Sequence, residues 1–135
     1  MYGGYHHDMR RFQRLRVNLS VFYRIESPEN TRLLLGGFEQ EADMLDLSEG
    51  GMAFLARRNV PPHTILLVKF ILFKFDSNGI VSFSDPLEVH AEVRYCVPAE
   101  NSQYRLGVCF RKVEGDEKAE ISDFVTSTAR PLAAY

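Results

Sequence analysis

Apolar and polar residues alternate with a period of two along most of this chain, the spacing of strands that bury one face. Residues 17–25 put Val17, Leu19, Val21, Tyr23 and Ile25 on a common face. ESPENTR (26–32) is turn chemistry, and a second extended stretch, 33–47, passes Gly36 and Gly37 and ends in DMLDL. Gly50 and Gly51 separate it from a short strand, MAFLA (52–56), and NVPPHT (59–64) follows as a loop. ILLVKFILFKF (65–75) predicts one long strand that is apolar on both faces. DSNG (76–79) is a hairpin turn, and VSFSDP (81–86) is a short return or loop. LEVHAEVRYCV (87–97) sets Leu87, Val89, Ala91, Val93, Tyr95 and Val97 on one face. After the turn PAENS, YRLGVCF (104–110) directs Tyr104, Leu106, Val108 and Phe110 inward.

Only the last segment changes period. In GDEKAEISDFVTST (115–128), Ile121, Phe124, Val125 and Thr128 recur at helical spacing. Asp116 suits the cap, Glu117 suits the positive N-terminus, and Pro131 ends the helix. About six strands with short turns and one terminal helix predict a mainly β fold: a small six-stranded antiparallel barrel with a C-terminal α-helix over an edge or an open end. A barrel wall has one inner face, so the second apolar face of 65–75 must meet the helix, a partner or a second copy in a homodimer.

Composition narrows the class. A chain of 135 residues is one domain, large enough to bury roughly two-thirds of the surface its unfolded form exposes. Residues 1–9 read as a flexible arm, 10–128 as the domain and 129–135 as a tail. Two cysteines, Cys96 and Cys109, are too few for a disulfide scaffold. Met1 to Arg16 lacks an apolar leader, and the longest apolar run, interrupted by Lys69 and Lys74, is too short to cross a bilayer. These features predict a cytoplasmic protein with free thiols and no membrane insertion. A net charge of −2 disfavours a general nucleic-acid binder, so any electropositive function must be local.

That local charge is RRFQRLR (10–16), with Arg10, Arg11, Arg14 and Arg16 in seven positions and no acid between residues 9 and 25. Guanidinium forks grip phosphate in bidentate fashion and match the O6/N7 edge of guanine. The second candidate is DLSEGG (46–51). Alternation with Leu45 and Leu47 inward puts Asp46 and Ser48 on the outer face, a carboxylate and a hydroxyl that accept from N–H groups such as a guanine Watson–Crick edge. Gly50 and Gly51 permit a tight turn and close backbone approach.

Arg10-x-x-x-Arg14 before the first strand, followed by Asp46-x-Ser48-x-x-Gly51 at the end of a later one, resembles the PilZ domain family, bacterial receptors for cyclic di-GMP. AEVRY (91–95) and YRLGVCF (104–110) are similar to that family's later strands. The gap between Arg14 and Asp46 is long for the family, with the excess in ESPENTRLLLGG. The resemblance implies a PilZ-type barrel in which Arg10, Arg11 and Arg14 meet the phosphates and guanines of cyclic di-GMP. It implies the same ligand for Asp46, Ser48, Gly50 and Gly51, with the arm ordering around it. It further implies a stand-alone, non-enzymatic receptor that signals through a protein partner to motility, adhesion or biofilm-type output. The alternative is a nucleotide-independent interaction module of the pilus or flagellar machinery, as in family members without the motifs.

Other features carry less. Arg94 lies on an outer face and reads as a solvated strand charge; His6 and His7 lack supporting metal ligands. His90, between Glu88 and Glu92, reads as a solvated stripe, and His63 sits in a Pro-Pro loop. Ser48 lacks the G-x-S-x-G elbow and a histidine close in sequence. Cys96 and Cys109 alternate to the outer faces of neighbouring strands. The ten phenylalanines and six tyrosines lie mostly on apolar faces and read as core rather than as a base-stacking surface.

Overall fold

A computed structural model describes the backbone of residues 15–113 and 115–133, and the side chains of residues 19–113 and 115–126. The chain begins with β1 (Leu15–Ser27), in which Val21, Tyr23 and Ile25 are buried as their alternation predicts. The next segment departs from the expected turn and extended stretch. Glu29–Leu35 forms a helix, α1, led by Pro28 and Glu29 and ended at Gly36, whose N–H donates to the Arg32 carbonyl. Proline pre-sets the backbone at a helix entrance, and the leucine run that follows has higher helical than turn preference.

β2 (Gln40–Leu47), β3 (Gly51–Ala56), β4 (Ile65–Phe70), β7 (Leu87–Pro98) and β8 (Tyr104–Arg111) join β1 in a closed antiparallel barrel of order β1-β2-β3-β8-β7-β4. The predicted strand 65–75 is two elements. Leu66, Val68 and Phe70 of β4 fill the barrel, and the chain then leaves the wall through Ile71 and Leu72. It forms a separate hairpin from β5 (Phe73–Phe75) and β6 (Val81–Phe83), turned at DSNG. The doubly apolar pattern therefore belongs to no single strand. Leu72 is buried, Phe73 meets the terminal helix, and Phe75 and Phe83 face solvent.

Register shifts interrupt β1, β2 and β7, and two of them change predicted faces among the described side chains. One lies in β7 between Val93 and Tyr95. Leu87, Val89, Ala91 and Val93 point inward as expected, but beyond the bulge the faces exchange. Tyr95 and Val97 turn outward, and Cys96 packs against the core, contrary to its predicted outer placement. A bulge inserts one unpaired residue, so every side chain after it changes face. The second lies in β2 between Met44 and Asp46, so Met44 and Leu47 point inward and Leu45, predicted inward, does not join them.

Inside the barrel, Tyr23 and Phe54 meet with centroids 5.0 Å apart, among Met44, Leu47, Leu66, Val89 and Leu106. The terminal helix, α2 (Gly115–Ala133), buries Ile121, Phe124 and Val125 as its periodicity predicts and packs against β1 and β5. It continues past Pro131, where the sequence reading ends it. At this end of the barrel the register gathers the start of β1, the turn between β2 and β3, the end of β8 and the base of the β5–β6 hairpin. The candidate chemistry lies here.

Candidate functional site

The sequence DLSEGG makes a two-residue hairpin loop, Glu49-Gly50, between β2 and β3. Ser48 N–H donates to the Gly51 carbonyl at 2.9 Å. The Ser48 hydroxyl lies in the same turn, accepting from Gly50 N–H at 3.2 Å and donating to the Gly51 carbonyl at 3.3 Å. Ser48 is only 7% exposed, and its hydroxyl oxygen retains acceptor capacity for one further bond. The Gly50 carbonyl accepts from Phe110 N–H at 2.8 Å, which ties the loop to β8. Gly51 has a structural reason to be glycine: a Cβ there would stand 2.0 Å from the Val108 carbonyl oxygen. The close backbone neighbour at Gly51 is therefore β8 of this chain.

Asp46 lies on the outer face, as predicted, yet it is only 7% exposed. The register shows why. A row of paired positions crosses five strands: Arg16 on β1, Asp46, Ala53 on β3, Gly107 on β8 and Tyr95 on β7. Small residues at 53 and 107 leave this strip of the outer wall low. The Tyr95 ring occupies the space above Gly107, where a Cβ would stand 2.0 Å from the ring. Arg105 reaches in from the adjacent position of β8. Its Nη2 donates to Asp46 Oδ2 at 2.9 Å and its Nε to the Tyr95 hydroxyl at 3.3 Å. Burial opposes the charge on Arg105, but the bonds to Tyr95 and Asp46 outweigh it and hold the guanidinium above its usual pKa. The strip thus presents a carboxylate and a fixed cation side by side.

A third contact links the loop to the terminal helix. Ser122 on α2 donates to Glu49 Oε1 at 2.5 Å, and two residues further along the helix Phe124 meets Phe73 edge-on at 5.2 Å. α2 therefore touches both the loop and the β5–β6 hairpin.

Arg10, Arg11 and Arg14 lie outside the described residues, as do His6 and His7. The described chain begins beside the loop: Leu15 pairs with Leu47 and Arg16 with Asp46. Arg94 occupies the β7 bulge and is exposed. His63 bonds Glu92 at 3.1 Å and His90 stands 3.6 Å from Glu26, both on the surface. Among the described residues no group of histidine, cysteine, aspartate and glutamate side chains is arranged to hold a metal ion, and no helix is long and apolar enough to cross a membrane.

The PilZ domain family model matches residues 8–127, nearly the whole chain. The chain belongs to the PilZ domain family. No curated protein matches it by sequence. Solved structures share the PilZ fold at low identity. The Bacillus subtilis inhibitor of motility, MotI/DgrA, superposes with a TM-score of 0.67 at 15% identity, covering 93% of this chain and 53% of its own. The PilZ domain of YcgR from Escherichia coli, with cyclic di-GMP, gives 0.58 at 15% identity and covers 94% and 96%. The K. pneumonia MrkH–cyclic di-GMP complex gives 0.61 at 13%, covering 93% and 54%. This chain therefore spans about half the length of MotI and MrkH and nearly all of the YcgR domain.

Within this PilZ domain, sequence reasoning groups Asp46, Ser48, Gly50 and Gly51 and does not reach Arg105, Tyr95, Glu49 and Ser122, which the fold brings beside them. A strict alternation carries Tyr95 into the core, and the bulge that reverses it has no local signature. Gly107 was the available signal: a glycine inside a strand marks a close approach, here by the Tyr95 ring.

Proposed function

We propose that this PilZ domain is a receptor for cyclic di-GMP that binds the dinucleotide between its N-terminal arginines and the outer wall around Asp46, then signals through a protein partner. One observation carries the reading. The two halves of the family motif, Arg10-x-x-x-Arg14 and Asp46-x-Ser48-x-x-Gly51, are both intact, and strand pairing brings their junctions together at Leu15 and Leu47. Arg14 directly precedes Leu15 in the sequence. The chemistry suits the ligand: guanidinium groups for two phosphates, and Asp46 as acceptor for guanine N–H groups. The cyclic di-GMP bound to YcgR and MrkH supports the same class of ligand. Cytoplasmic location and motility-, adhesion- or biofilm-type output belong to this reading.

Isothermal titration calorimetry with cyclic di-GMP tests it. The wild type gives saturable heat, and Arg14→Ala or Asp46→Ala weakens binding at least about tenfold, the loss for one charge-assisted contact. Absence of heat from the folded wild type would rule the receptor reading out and favour the nucleotide-independent interaction module.

A further inference from the structure

We propose that Arg105 is a positioning residue of the dinucleotide site, fixing the orientation of the Asp46 carboxylate and offsetting its charge; the proposal rests on the receptor reading above. A dianionic ligand approaching Asp46 meets a like charge, and Asp46, at 7% exposure, has little water to screen it. Arg105 is one of its partners, at 2.9 Å. The guanidinium crosses β3 from β8 to reach β2, two strand spacings of roughly 4.8 Å each.

Four features of the fold serve that reach. The β2 bulge between Met44 and Asp46 sets Asp46 on the outer face. The β7 bulge turns Tyr95 outward, where its hydroxyl accepts from Arg105 Nε. Gly107 leaves room for the Tyr95 ring, and Ala53 keeps the crossing strand low. A fork held at both Nε and Nη2 has its plane fixed, which an ammonium group cannot reproduce.

The test is cyclic di-GMP affinity, by calorimetry on folded protein, for Arg105→Ala, Arg105→Lys, Tyr95→Phe and Arg105→Ala/Asp46→Asn. Arg105→Ala loses about tenfold or more, and lysine does not restore it. Tyr95→Phe keeps the ring over Gly107, removes only the hydroxyl and loses a smaller factor. The informative variant is the double one. Asparagine keeps an acceptor oxygen but carries no charge, so Arg105→Ala/Asp46→Asn binds more tightly than Arg105→Ala alone. A merely structural arginine would give no such rescue. Wild-type affinity in Arg105→Ala, or a double variant no tighter than the single one, overturns the proposal while leaving the receptor reading intact. Failure of the wild type to bind overturns both.

Discussion

Gly51→Ala isolates the closest backbone approach in the site. The new Cβ would stand 2.0 Å from the Val108 carbonyl oxygen, where Cβ contacts essentially never fall below 3.0 Å. The obstacle is main chain, so β3 and β8 must part by about 1 Å at the pair Gly51–Cys109. Overpacking of this kind costs about 1–3 kcal/mol. The separation also weakens the bond from Phe110 N–H to the Gly50 carbonyl, for about 1 kcal/mol more. Alanine's smaller unfolded-state entropy returns roughly 0.4–1 kcal/mol. The net loss is about 1–3.6 kcal/mol, which for a chain of 135 residues lowers Tm by roughly 4–13 °C. Gly107→Ala serves as the contrast, because the atoms in its way belong to the Tyr95 ring, which can swing aside. It should cost less stability than Gly51→Ala while displacing Tyr95 from Arg105. Thermal unfolding followed by circular dichroism measures both. A Gly51→Ala protein melting within about 2 °C of wild type, or below it by less than Gly107→Ala, would refute the argument that strand approach dictates this glycine.

Phe124→Ala removes a ring that is 4% exposed and packed edge-on against Phe73. It should cost about 3 kcal/mol in urea unfolding, and hydrogen exchange should speed up in the β5–β6 hairpin as well as in α2. Ser122→Ala deletes the bond to Glu49 and should cost about 1 kcal/mol, since the pair is partly solvated. Its amide-exchange signature should appear in residues 48–51 together with the helix, and no change in the loop would mean that the bond does not couple them. Burial raises the Cys96 thiol above its ordinary pKa, so at pH 8 less of it is thiolate and iodoacetamide should label it more slowly than a free cysteine. Peptide mass spectrometry of timed samples reads the rate, and labelling as fast as free cysteine would contradict its packing against the core.

The sequence by itself determined the barrel, because inward-facing residues at period two and short turns leave few ways to bury one face of each strand. It also determined the terminal helix, through Ile121, Phe124 and Val125, and the resemblance to the PilZ family, which the family model bears out over residues 8–127. Tertiary structure decided the features that depend on pairing. Pattern alone could not break ILLVKFILFKF at Phe70, since apolar residues continue through the break; the wall ends where β1 and β7 cease to pair with β4. Nor could it reverse Tyr95 and Cys96, because a bulge is a property of two strands and their register. The arrangement of Arg105 across β3 to Asp46 joins residues 59 positions apart. Nothing local in the chain specifies that contact; it exists because closing the barrel lays β8 and β2 on either side of one strand.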